Sequence, residues 1–295
     1  MHYFMCYAPQ YWGKNQDKNK NIIFNSLKES FSLIWKSKPW IFALLLIQIG
    51  FFAAIFAISN AYLPKMLENA QAMSNYISAQ NFDEASMTER VLQQKDILGD
   101  DPTALTNYFD GVVENFKTYF AYLFIFILVF SSLSWSITHK IIYKINFRQL
   151  TRNFSSTFVV LLFYLGLIFL FFYLLLNISF SEAVLQGSKI FIKYIPFLIF
   201  SIIFAYFMFI SLALSNKIEI KQLVQKTLAI GIKKAHYILA VYAINVLLFI
   251  VSVFLMAYFI DRNFFIVILA LIFFIFSFVF ARIFISSVVS KLKDM

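Results

Sequence analysis

The amino-acid sequence predicts an all-α integral membrane protein with six transmembrane helices and both termini in the cytoplasm. Three observations carry that expectation: a composition too apolar for a soluble globule, six long apolar runs, and basic residues that alternate in density between successive connecting segments. Of the 295 residues, 61% are hydrophobic, 20% aromatic and only 14% charged. A soluble domain carries roughly 45–50% apolar and about 25% charged residues. With so little polar surface to coat a globule, most of these side chains must face lipid or one another within it.

A helix crossing a ~30 Å hydrocarbon core needs about 20 predominantly apolar residues. Residues 1–39 are mixed and polar without an apolar h-region, so they read as a cytoplasmic segment with an amphipathic helix rather than a signal peptide. The first span, 40–62, opens after Ser37-Lys38-Pro39, with proline at a helix start. Residues 63–116 form an extracytoplasmic helical loop: Met66, Leu67, Ala70, Met73 and Ile77 recur at helical spacing, and Asp101-Pro102 starts a helix that runs through Tyr108 and Val112 into the second span, 117–139. An inner amphipathic segment, 140–155, leads into the third span, 156–177, and the fourth span covers 190–214. A second inner amphipathic segment, 215–236, precedes the fifth span, 237–260. The sixth, 264–289, follows across the tight polar turn Asp261-Arg262-Asn263. The runs are continuous rather than alternating, which favours helices over barrel strands.

The positive-inside rule sets the orientation. With the N-terminus inside, 18 Lys and Arg lie on the cytoplasmic side and 7 outside, while 4 acids lie inside and 11 outside. The net charge of +10 is spread along the edges of apolar runs, so nucleic acid is not an expected partner. Cys6 stands alone, which excludes an intramolecular disulfide.

The inner segments resemble one another. Phe24-Asn25-Ser26-Leu27, Phe147-Arg148-Gln149-Leu150 and Ile220-Lys221-Gln222-Leu223 each open a helical pattern leading into a span. Apolar Phe31 and Ile34, Phe154 and Phe158, and Val224, Thr227, Leu228 and Gly231 continue them at spacings of three and four. A basic amphipathic stretch beside a span reads as an interfacial helix with its cations at headgroups. The expected plan is therefore three repeats of interfacial amphipathic helix plus transmembrane hairpin, with a small helical extracytoplasmic cap. Lys28, Arg148, Arg152, Lys221, Lys226 and Arg282 are the candidate lipid-headgroup contacts, and anionic lipids of the inner leaflet are the expected partners.

The basic lead-in Ser26-Leu27-Lys28-Glu29-Ser30-Phe31, running through Trp35-Lys36-Ser37-Lys38-Pro39-Trp40 into a Phe/Leu/Ile span, resembles prokaryotic six-span membrane families. Among them is the membrane domain attached to some glycerophosphoryl diester phosphodiesterases. The resemblance implies a six-span helical domain and carries over no catalytic residue.

Chemistry inside the spans is sparse. None of the six runs contains Asp or Glu. His139 and Lys193 lie at span ends within reach of headgroups, and Arg282 lies deepest, placed to snorkel or to meet a buried anion. Gln48, Ser131, Ser132, Ser134 and Asn245 are the candidate lining of a polar groove near the inner leaflet, or alternatively inter-helix hydrogen-bonding residues. Asp96, Asp100 and Asp101 read as a helix-ending turn rather than a metal site, and Asp110 and Glu114 as an exposed stripe. No phosphate loop, His-Glu-x-x-His or Gly-x-Ser-x-Gly occurs, so catalytic residues, metals and cofactors are not expected.

Three functional classes are compatible with this reading. The first is a non-catalytic accessory, scaffold or lipid-organising component of a plasma-membrane assembly with a membrane-protein partner. The second is a passive or partner-energised transporter or lipid translocator using the polar groove. The third is a headgroup-directed enzyme. In a Cys6→Ser background, Lys144→Cys and Lys234→Cys should react with a membrane-impermeant maleimide only from the cytoplasmic side, and Asp261→Cys only from outside. The reverse labelling would overturn the orientation.

Overall fold

The computed structural model describes residues 22–79, 102–175, 189–216, 220–261 and 264–293. Within them 96% of residues are helical and none is in a strand. The helices are α1 (Ile22–Lys36), α2 (Lys38–Ala79), α3 (Pro102–Tyr143), α4 (Phe147–Leu175), α5 (Lys189–Leu214), α6 (Ile220–Lys233), α7 (Ala235–Phe259) and α8 (Phe264–Lys293). All but α1 and α6 are long and apolar enough to cross a membrane. Continuous helices are what lipid requires, because it offers no partner to an unpaired backbone N–H or carbonyl.

The span boundaries differ from the hydropathy runs in a consistent way. α2 and α3 each contain 42 residues, since no turn separates the first span from the helix after it or the helix before the second span from that span. At 1.5 Å per residue each is about 63 Å long, twice the hydrocarbon thickness, so part of both must project beyond it. Pro64 sits inside α2 without ending it. α4 likewise runs unbroken from the basic segment into its span. Lys144, in the left-handed conformation with φ 49°, ends α3, and the Asn146 carbonyl accepts from Gln149 and Leu150 to open α4.

The chain divides into two compact units. One comprises Met1–Gln48, Ser132–Val160 and Ala205–Met295, the other Ile49–Ser131 and Leu161–Phe204.

In the first unit α8 is central. Its residues from Ile283 to Val289 are all buried. Val279 and Ile283 join Ile41 and Leu44 of α2 and Ile137 and Ile141 of α3 in one apolar cluster. Phe274 and Phe278 pack on Phe249 of α7 at 5.3 and 5.0 Å between ring centroids. Phe280 meets Phe31 of α1 at 5.0 Å, and Glu29 of α1 pairs with Lys291 at 2.7 Å. That contact joins α1 to the last turn of α8.

Each short helix buries one narrow stripe and turns other large apolar side chains outward. α1 buries Ile22, Ser26 and Ser30, whereas Phe24, Phe31 and Trp35 are 65%, 55% and 74% exposed. α6 buries Leu223, Thr227 and Ile230, whereas Val224, Leu228 and Ile232 point outward. Gly231 faces Phe207 so closely that a Cβ would lie 2.6 Å from the ring, and its carbonyl accepts from the Tyr206 hydroxyl.

The second unit is held largely by aromatic contacts. Phe120 packs on Phe169 and Phe172, and Phe171, Phe172, Phe197, Phe200 and Phe204 continue the set. Met66 and Leu105 are buried, and Gly111 allows α3 to approach Asn69 of α2. The difference between two glycines makes a test. Gly231→Val should cost about 1–3 kcal/mol of stability through overpacking, measured by thermal unfolding in mild detergent. Gly166→Ala, with open space at its Cβ, should gain about 0.5–1 kcal/mol from helix propensity.

Candidate functional site: a guanidinium between two amide-bearing spans

The site begins at two breaks in the helical ladder. Pro39 lacks an N–H, so the helical ladder loses one donor where α1 gives way to α2. Ser37 N–H still donates to the Leu33 carbonyl, and the Ser37 carbonyl accepts from Trp40 and Ile41. Between α6 and α7 the same pattern recurs without a proline: Lys234 N–H donates to the Ile230 carbonyl, and its own carbonyl accepts from Tyr237 and Ile238.

Beyond each break the buried positions match. Ile41, Leu44 and Gln48 follow Ser37 by four, seven and eleven residues, and Ile238, Val241 and Asn245 follow Lys234 by the same steps. These spacings share one helix face. The apolar four are buried, Gln48 is 5% exposed, and Asn245 is half-buried.

Both amides meet α8 at adjacent residues. Gln48 Oε1 accepts from Arg282 Nη2 at 2.7 Å. Asn245 Nδ2 donates to the Ala281 carbonyl at 3.5 Å, and its Oδ1 is buried with no donor. Arg282 Nε donates to the Phe278 carbonyl one turn back. At about 100° per residue, Arg282 falls between the α8 face on α7 (Phe274, Phe278, Ala281) and the face on α2 (Val279, Ile283). It is half-buried, and the one ion pair among the described residues is Glu29–Lys291, so no carboxylate neutralises it there.

The candidate serines do not join these amides. Ser132 and Ser136 share an α3 face with Trp135 and His139, whereas Ser134 shares the opposite face with Ile137 and Ile141. Ser132 and Ser134 are buried, and Ser136 and Thr138 donate to carbonyls of their own helix, Ser132 at 2.7 Å and Ser134 at 2.9 Å. Ser131 belongs to the other unit. The expectation that His139 reaches headgroups is corrected: it is fully buried, and its Nε2 donates to the Leu212 carbonyl at 2.9 Å, leaving Nδ1 without a donor.

That carbonyl lies in the last turn of α5, where orphan acceptors need partners. Ser215 Oγ also donates to Leu212, Ser156 donates to the Ser215 carbonyl, and Asn153 donates to Asn216 Oδ1. Ser211 and Thr227 share a hydrogen bond at 3.0 Å, and Tyr242 donates to the Tyr206 carbonyl. Sequence reasoning missed this cluster. Its one legible signal was the density of polar residues at 211, 215 and 216 where α5 ends.

Of the candidate headgroup contacts, Lys28, Arg148, Arg152 and Lys221 are exposed and Lys226 is half-buried. Arg148 and Arg152, with Gln149, Thr151 and Ser155, line an open depression of about 570 Å³ on the first turns of α4. Asp110 and Glu114 are exposed on α3. Among the described residues no group of three or more His, Cys, Asp or Glu is placed to hold a metal; Asp96, Asp100, Asp101 and the Lys193 side chain lie outside them.

Comparison with protein-family models, curated proteins and solved structures finds no match. A double-mutant cycle of Gln48→Leu and Arg282→Met should give a coupling of about 1–3 kcal/mol, the range of a hydrogen bond to a charged group. Thermal unfolding in detergent measures it, and additive losses would show that the 2.7 Å contact is energetically silent.

Proposed function

We propose that the protein is a non-catalytic component of a membrane assembly that organises lipid at the cytoplasmic face of the plasma membrane. In this reading both termini are cytoplasmic, and α1, the start of α4 and α6 are interfacial elbows of three repeated units. The observation that carries it is the outward turn of the apolar faces of α1 and α6. Phe24, Phe31 and Trp35 on one, and Val224, Leu228 and Ile232 on the other, are exposed beside Lys28 and Lys221. These elbows dock through Ile22, Ser26 and Ser30 or Leu223, Thr227 and Ile230, and leave a second set of large apolar side chains open to the acyl boundary. The matching breaks at Ser37 and Lys234 support a repeat. Lys38 over Trp35 at 4.5 Å and Lys140 over Trp40 at 4.1 Å support a cation-aromatic belt at that level.

Each exposed cation near an anionic surface is worth about 1 kcal/mol. Replacing Lys28, Arg148, Arg152, Lys221 and Lys226 together by Glu should therefore lower the ratio of anionic to zwitterionic lipid retained from mixed nanodiscs severalfold, read by lipid mass spectrometry. An unchanged ratio would remove the reading. Turnover or solute flux by the isolated chain in liposomes would replace it with an enzymatic or transport role.

A further inference from the structure

We propose that Arg282, Gln48 and Asn245 form a binding site for one phosphate ester that also carries a hydrogen-bond donor, the chemistry of a phospholipid headgroup bearing a hydroxyl or ammonium. The inference rests on the reading that these helices lie in a bilayer, and it adds a discrete site to the diffuse charge of the elbows.

The charge on Arg282 is unbalanced among the described residues. A guanidinium is a planar fork of N–H donors that suits the oxygens of a phosphate in bidentate fashion. Arg282 uses Nε on the Phe278 carbonyl and Nη2 on Gln48. Nη1 has no partner among the described residues, nor does it count among their unpaired atoms sealed from solvent. A cation at this depth is costly without a counter-charge, and the spans contain no acid to supply one. Among the described residues no carboxylate pairs with Arg282, and a bound anion would supply the negative charge.

The amides define the rest of the ligand. Because Gln48 accepts from Arg282 through Oε1, its N–H₂ is the end left over, and like Nη1 it has no partner among the described residues and is not sealed off. It is a second donor suited to a phosphate oxygen. Asn245 presents the opposite end: Nδ2 is committed to the Ala281 carbonyl, and Oδ1 is buried without a donor. An orphaned buried acceptor is costly, so a ligand that donates to it is favoured over a bare phosphate. Position reinforces the chemistry. Arg282 projects between the α2-facing and α7-facing sides of α8, and each of those helices brings one amide to α8 at the adjacent residues Arg282 and Ala281.

The test uses full-length protein delipidated in maltoside detergent. Phosphatidylglycerol or phosphatidylethanolamine is expected to raise its unfolding temperature, and diacylglycerol with the same chains is not. In wild type one phospholipid per chain should persist through delipidation by native mass spectrometry. Gln48→Leu and Arg282→Gln should each weaken that retention roughly tenfold, the loss expected for a charge-assisted bond. If Arg282→Gln does not fold, Gln48→Leu and the wild-type lipid comparison decide. A shift given equally by glycerol 3-phosphate assigns the site to a soluble phosphate ester, and a shift confined to phospholipid assigns it to lipid. An equal shift with diacylglycerol, no shift with any phosphate compound, or undiminished retention in both variants overturns the proposal. The elbow variant separates the two readings: it should keep the single retained lipid while losing the anionic enrichment.

Discussion

The enclosure of the last turns of α8 is the constraint on which the first unit depends. Around its circumference lie α7 at Phe274, Phe278 and Ala281, the α2–α3 cluster at Val279 and Ile283, and α1 at Phe280, Ser287 and Lys291. No hydrophobic drive gathers helices in lipid, so close packing and hydrogen bonds must do it. α8 permits this because Ala281, Ser286 and Ser287 are small at the levels where neighbours approach. A bulky residue at any of these positions would push a neighbour away and with it an elbow or an amide.

The two units meet that requirement with different chemistry. In Ile49–Ser131 and Leu161–Phe204, phenyl rings do most of the joining, with Phe200 and Phe204 only 4.1 Å apart. Aromatic rings supply large contact area with directional edge-to-face preferences and leave no polar group to satisfy. In the other unit hydroxyls, amides and one imidazole tie α3, α4, α5, α6 and α7 together, chiefly by capping the carbonyls that α5 leaves free at Leu212 and Ser215. A helix that stops at Leu214 must satisfy those acceptors, and His139, Ser156 and Asn153 gather around them.

Hydropathy made the spans legible, because a run of twenty apolar residues has few alternatives. It could not tell protein-facing from lipid-facing sides, since lipid and core are equally apolar. The expected apolar face of α1 included Phe31 and Ile34; Phe31 meets Phe280 and Ile34 packs on the core cluster, but both stay partly exposed and the buried stripe is Ile22, Ser26 and Ser30. The Ser131–Ser134 group looked like one polar surface because sequence proximity hides that Ser132 and Ser134 point to opposite sides of α3. Gln48, Asn245 and Arg282 were each visible as polar residues in apolar runs. Their convergence was not, because it depends on counting from the breaks at Ser37 and Lys234, and only Ser37 is announced by a proline.

The choice of glutamine at 48 bears on what that convergence is for. A glutamate there would reach the same guanidinium and form a self-contained ion pair, with the positive charge spent inside the protein. Glutamine holds Arg282 by one hydrogen bond while leaving the charge intact, and it keeps a donor of its own. The sequence carries 15 acids and places none in the six apolar runs, so this withholding of negative charge extends to every span. A cation fixed in direction but not neutralised is poorly suited to be a structural tie, because its desolvation is uncompensated. It is well suited to wait for an anion, and a bilayer presents phosphate at high density to any groove that opens on its headgroups.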